Sequence, residues 1–245
     1  MNQDNRFRKY FIWLFWIAVW QAANLLIHNN IIFVGPLDML SALAGLVGDA
    51  SFWGSILNSF ARISAGFLGA FILSILLGSL AYVFPLVKEL LEPVMLLIKS
   101  VPVASFVILA LIWIGSRSLS VFTSFLVVVP MIYVSTLAGL EHTDRKLLEM
   151  ARVFHMPLRR QIRYIYIPSL LPYLISGCRT ALGMSWKSGV AAEVIGIPEG
   201  SIGEQLYYSK LYLDTAGLFA WTFMIIVVSA LFERVVLWLL GRIRH

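Results

Sequence analysis

The sequence predicts an all-α fold, a polytopic membrane helical bundle of about six transmembrane helices. Three observations predict it. The 245-residue chain is 60% hydrophobic and 13% charged, with a mean hydropathy of +0.84, whereas a soluble domain carries about 25% charged residues. Apolar runs of about 20 residues, the length that crosses the hydrocarbon core, recur along it. The basic residues are also unevenly placed. With both termini inside, the inner segments hold Arg6, Arg8, Lys9, Lys88, six residues of the 141–168 loop, Arg242 and Arg244. The outer segments hold only Arg117 and Lys210, and cytoplasmic loops are the ones rich in Lys and Arg.

The elements follow in order. Residues 1–9 are a short polar cytoplasmic N-terminus, followed by a Trp- and Phe-rich first span over 10–28. Residues 29–59 carry Asp38 and Asp49 but no Lys or Arg and are placed outside, with a short interfacial helix over Pro36 to Val47. The second span, 60–84, carries Gly66, Ala70, Ser74 and Gly78 at four-residue spacing. Such a ridge of small residues lets another helix approach closely. Residues 85–93 read as an inner loop, 94–114 as a third span broken by Pro102, and 115–118 as an outer turn. The fourth span, 119–140, contains Pro130. The fifth, 169–195, is followed by an outer loop over 196–213 with a turn at Gly200–Gly203 and a short helix through Tyr207 and Tyr208. The sixth is 214–240. Only helices or closed barrels satisfy every backbone group in lipid, so the spans are expected to form one transmembrane domain over 1–245.

The composition leaves almost no soluble domain. The net charge of +6 reads as membrane orientation and not as nucleic-acid binding. The single cysteine, Cys178, has no partner within the chain. No cleavable signal peptide is expected after the long first apolar run. Metal-site and nucleophile-elbow patterns are missing. Lys187-Ser188 resembles the end of a phosphate-binding loop only superficially, because Trp186 stands where glycine is needed.

Ionisable residues within spans usually face a bundle interior or a watery path, since each costs about 2.5–3.5 kcal/mol at mid-membrane. Lys99 and the Glu233-Arg234 pair lie near the inner surface and are expected to snorkel to it. Lys187, flanked by Ser185 and Ser188, is a candidate for a translocation path favouring an anionic or polar solute; a structural ion pair is the alternative. Arg179 and Pro102 are further path candidates; a structural role for Arg179 and a simple kink at Pro102 are the alternatives. A gradient-driven transporter or channel would need acidic or His relays at mid-span. Glu193 and Glu233 lie near span ends, and all four histidines lie outside mid-span regions.

Residues 144–168, DRKLLEMARVFHMPLRRQIRYIYIP, are strongly basic and lie between two spans. Within them Leu147, Leu148, Ala151 and Phe154 form an apolar stripe at helical spacing. A helix this short is marginal alone and needs something to dock against.

This loop resembles the coupling motif of ABC importer permeases. Glu149-Met150-Ala151 is followed after three residues by His155 and after nine more by Ile165-Tyr166-Ile167-Pro168. The departures are Met150 for Ala, Ile167 for Leu and His155 for Gly. The glycine would allow positive φ after the helix, and His is among the few other residues enriched there. From about residue 60 the chain resembles the nitrate, sulfonate and taurine permease group, through Ile112-Trp113-Ile114-Gly115, Ala181-Leu182-Gly183 and Ala191-Ala192-Glu193.

The resemblance implies a type I ABC importer fold in a bacterial cytoplasmic membrane, with both termini cytoplasmic. It implies two cytoplasmic ATPase subunits, an extracytoplasmic solute-binding protein and a second permease subunit, identical or closely related. ATP and Mg would be bound by the ATPase; this chain would bind no cofactor and hydrolyse nothing. Leu147, Leu148, Glu149, Met150, Ala151, Phe154, His155, Ile165, Ile167 and Pro168 would couple to the ATPase. Glu193, with Tyr207 and Tyr208, would form the outer gate or the binding-protein contact. The solutes implied are small anions, such as sulfonates or nitrate, or vitamin precursors.

Overall fold

The computed structural model describes residues 3–27, 29 and 31–242, all helices and connecting turns, with no strand among the described residues. The Ile243 and Arg244 of the expected inner C-terminus lie outside them. Helix α1, Gln3–Ile27, leads to the short helix α2, Pro36–Val47. Hydrogen bonds from Trp20 Nε1 to the Val34 carbonyl (2.9 Å) and from Asn24 Nδ2 to Asp38 Oδ2 (3.4 Å) tie the α1 end to α2. The polar start is thus not a separate segment: from Gln3 onward it is the first turns of α1.

Helix α3, Ala50–Val83, begins ten residues before its expected start. Asp49 explains where it begins. Its carboxylate accepts from the Ser51 backbone N–H (3.0 Å) and from Ser51 Oγ (2.7 Å), capping the first turn. These bonds, the backbone one foremost, hold the Asp49 carboxyl below its ordinary pKa.

Residues 85–93 are a correction: they form no loop but the start of α4, Pro85–Ser100. After it the chain turns by 103° into α5, Val103–Ile114. Pro102 causes this turn. It has no N–H to continue the ladder, and it drives the preceding Val101 into extended backbone (φ −75°, ψ 128°). Pro130 behaves differently and stays inside an unbroken α6, Leu119–Glu141.

The coupling-motif region contains α7, Arg145–Val153, the single turn α8, Leu158–Gln161, and a π turn over Ile162–Tyr166. Helix α9, Ile167–Gly196, follows directly. Pro168 and Pro172 supply no N–H to the residues four before them, and the π turn absorbs the first mismatch. Helices α10, Ile202–Leu211, and α11, Thr215–Arg242, complete the chain.

Helices α3, α6 and α11 are each long and apolar enough to cross a membrane, and α4 with α5 qualifies as one bent pair. Helix α9 is long enough, about 45 Å at 1.5 Å per residue, but carries Arg179, Lys187 and Glu193. With α1, these occupy the places of the six expected spans.

Helix α6 is the centre, packed between α3 and α9. Ile63, Phe67, Val128, Ile132, Leu182 and Trp186 are buried there. The small-residue ridge of α3 makes the close approach possible. A Cβ on Gly66 would collide with the Val121 carbonyl oxygen, and one on Gly78 would lie 2.8 Å from Thr136 Cβ. Ser74 Oγ donates to the Val129 carbonyl across the same interface (3.0 Å). Large apolar side chains such as Trp13, Trp16, Trp113 and Trp238 point outward and are more than half exposed, as suits a lipid-facing surface.

Candidate functional site: helix α7, the uncovered face of α9 and the Glu193 junction

Helix α7 is short but closed at both ends. Asp144 Oδ1 accepts from the Lys146 N–H at 2.8 Å. At the other end the Met156 N–H reaches the Ala151 carbonyl (2.8 Å) and the His155 N–H reaches Arg152 (3.1 Å). This is the double closure of a Schellman turn, with His155 in the left-handed position at φ 45°. Pro157 two residues on cannot continue the helix.

The motif residues divide into two sets. Ala151 (1% exposed) and Ile165 (4%) point into the chain's own core. Ala151 therefore does not belong to an outward stripe, which corrects the expectation. Leu147, Glu149, Met150, Phe154 and His155 are exposed, as is Val153, which the sequence analysis did not single out. Leu148 is half-buried, and Ile167 and Pro168 are exposed at the start of α9. The free apolar face is thus Leu147, Met150, Val153 and Phe154. Beside it Glu149, Arg145, Arg152, Glu141, Tyr82 and Thr143 surround a polar hollow of about 520 Å³. An ion pair between Lys88 Nζ and Glu141 Oε1 (2.7 Å) joins α4 to the end of α6 above it. Both partners are nearly half exposed, so it positions more than it stabilises.

Helix α9 has one face that the chain leaves uncovered: Ser176, Arg179, Thr180, Met184, Lys187 and Ala191 are exposed at three- and four-residue spacing. Ser185 and Ser188 do not share it. Ser185 is 0% exposed, and its carbonyl accepts from Ser124 Oγ of α6 (3.1 Å); Ser188 Oγ turns back to the Met184 carbonyl (2.8 Å). At 100° per residue, neither can point with Lys187. Ser176, Thr180 and Met184 of this face also line a cavity of about 650 Å³ at the elbow made by Pro102, between α4, α5, α6 and α9.

Glu193 is the largest departure from expectation. It is 0% exposed and cannot touch a partner. Its Oε2 accepts from Ser59 Oγ of α3 (2.6 Å) and from the Gly203 N–H (3.3 Å), while Ser59 Oγ accepts from the Ile202 N–H (2.9 Å). The carboxylate thus joins α3, α9 and the positive end of α10. Gly203 is required, because a Cβ there would collide with Glu193 Cβ. Ser201 and Glu204 close the same helix end: Ser201 Oγ accepts from the Glu204 N–H (3.0 Å), and Glu204 Oε2 accepts from Gly200 (2.7 Å). That S-x-x-E spacing was readable as a helix start and was missed. Glu193→Leu is expected to lower the thermal midpoint of the purified chain, because it orphans the Ser59 and Gly203 donors at about 1–3 kcal/mol each. Glu193→Gln, which keeps an acceptor, should recover most of the loss.

Tyr207 is half-buried, while Tyr208 and Tyr212 are exposed and stacked at 6.2 Å. Tyr208 and Tyr212 border a cavity of about 700 Å³ with Asp214 and Trp221.

Residues 70–245 match the family described as binding-protein-dependent transport system inner membrane component. The chain belongs to this family. It is the permease subunit of an ABC import system and an integral membrane protein. Among its relatives, a probable ABC transporter permease of Brucella melitensis is 27% identical over 205 residues, covering 83% of each chain. A putative aliphatic sulfonates transport permease of Bacillus subtilis is 27% identical over 222 residues, 90% of this chain and 80% of the relative. The taurine transport system permease of Escherichia coli is 25% identical over 220 residues, 87% and 80% of the two chains.

Proposed function

We propose that this permease, a single domain over its whole length, carries a small anion inward through a path built by two permease subunits. Both its termini face the cytoplasm, and ATPase subunits drive it by gripping α7. One observation carries the docking part. Helix α7 buries Ala151 against its own chain, yet presents Leu147, Met150, Val153 and, at its end, Phe154 to the outside. An apolar face on a basic loop is expected to be covered by a partner. ATP and Mg belong to the ATPase, whose closure would move α7 and, through the end of α6 and the start of α9, the bundle above it.

The path is assigned to the uncovered face of α9, where Arg179 and Lys187 lie among Ser176, Thr180 and Ala191. Ser185 and Ser188 are withdrawn from it. The extracytoplasmic binding protein would meet the outer surface at α10, where Tyr208 is exposed and Tyr207 half-buried; Glu193 holds that surface together from within. Two relatives, named for the transport of aliphatic sulfonates and of taurine, agree with an anion as solute. A gradient-driven carrier fits less well, because the carboxylate near the outer end of α9 is tied up in a helix junction.

Affinity purification of the chain from its native membrane, with mass spectrometry of what accompanies it, tests this reading. An ATPase and a second permease subunit are expected. Recovery of the chain with neither, under conditions that hold other ABC complexes together, would overturn it. Lys187→Ala is expected to reduce uptake at least about ten-fold with the complex intact. Unchanged uptake would remove Lys187 from the path.

A further inference from the structure

We propose that the cavity at the Pro102 elbow is a site for an organic anion, with Lys99 as its charge-recognising group. The proposal rests on the permease reading above and deepens it.

The cavity, about 650 Å³, is large enough for a small organic molecule. Its polar lining is Lys99, Ser135, Tyr173, Ser176 and Thr180, and it has no Asp or Glu among its described lining residues. The Ser135 hydroxyl proton is already given to the Met131 carbonyl (2.9 Å), which leaves the hydroxyl an acceptor. Lys99 is the one charge. It also borders a smaller hollow of about 280 Å³ that carries Glu92 and Lys88. Yet among the described residues the one ion pair is Lys88–Glu141, and no carboxylate oxygen lies within 4.0 Å of Lys99. Lys99 is itself exposed at the end of α4, and an ammonium at the edge of such a cavity with no carboxylate in reach marks a place where a negative ligand is welcome.

The rest of the wall sets the ligand's body. Val103, Val127, Pro130, Val134 and Met184 make most of the lining apolar. A bare inorganic oxyanion would lose hydration against such a wall and gain only one lysine. An anion with an alkyl or aryl body would bury that body there and turn its charged end to Lys99. The elbow joins the site to movement, since Lys99 lies in the last turn of α4, two residues before the 103° bend. A shift of α4 against α6 would therefore open or close the site. The competing role for Lys99 is to complement the negative end of α4, and it predicts no ligand preference.

The test uses the full complex in lipid nanodiscs with Thr180→Cys as reporter and Ser176→Cys as a second. The parent chain, whose single thiol is the buried Cys178, supplies the background. The probes are two thiol reagents of similar size, 2-sulfonatoethyl methanethiosulfonate and its trimethylammonium counterpart, each normalised to its rate with free mercaptoethanol. The anionic reagent is expected to react at least about five-fold faster, the scale of one nearby charge in a wet site. Lys99→Gln should lower the ratio to near one, whereas Arg117→Gln, in the turn between α5 and α6 and away from both reporters, should leave it in place. Hexanesulfonate should protect the reporter where sulfate at equal ionic strength does not.

A ratio near one at both reporters, or a preference that survives Lys99→Gln, overturns the site. Equal protection by sulfate overturns the organic-anion class. These readouts need no ATP and no identified solute. A failure here with the ATPase still bound is therefore distinct from failure of the permease reading.

Discussion

Met150→Glu combined with Phe154→Ser is expected to detach the ATPase and abolish ATP-driven uptake while the chain stays folded in the membrane. Both side chains are exposed, Met150 at 43% and Phe154 at 75%, so neither holds α7 in place. Burying each against a partner is worth about 1.5–3 kcal/mol. Losing both, and adding a charge that must be desolvated, removes about 3–6 kcal/mol. At 1.4 kcal/mol per decade, that weakens docking more than a hundred-fold. The measurement is ATPase copurification and vesicle uptake, with size-exclusion behaviour in detergent as the control for folding. Retained copurification would show that α7 is not the docking surface. Ala151→Glu is the wrong variant for this purpose. Its side chain is 1% exposed, so a carboxylate there would unseat α7 from its own bundle and lose the ATPase for a trivial reason.

Gly66→Leu is expected to prevent accumulation of folded chain. At Gly66 a Cβ alone would already meet the Val121 backbone oxygen, and the rest of a leucine has nowhere to go. Overpacking costs about 1–3 kcal/mol where side chains can yield; here the obstacle is backbone in the central helix, so the effect should reach the top of that range or beyond. Fluorescence-detected size exclusion should show loss of the monodisperse peak. Gly54→Ala in the same helix, where nothing lies within 4 Å of the added carbon, should leave it unchanged. If both variants behave alike, the close approach of α3 and α6 is not what the ridge is for.

The sequence by itself determined the class of protein and the position of nearly every helix. Those signals are local. Apolar length specifies a span, Pro36 marks a helix start, Pro102 marks a break, and the His155-Met156-Pro157 run marks a stop; the start of α3 at Asp49 and the helical form of 85–93 were not read. The motif spacing around Glu149 and His155 identified the loop, and the family match agrees with it. Tertiary structure alone decided which side of each helix is free. Ala151, Ser185, Ser188 and Glu193 carry the residue types and neighbourhoods of functional positions, yet packing of α3, α6 and α9 turns all four inward. A helix repeats its faces every 3.6 residues, so sequence can say which residues share a face but not which face the neighbours cover. Part of this was within reach: Lys187 and Ser185 lie about 200° apart on any helix, and could not line one path together. The 103° elbow and the cavity beside Lys99 were not. Pro102 breaks the helix, but the direction α5 then takes depends on its contacts with α6 and α9.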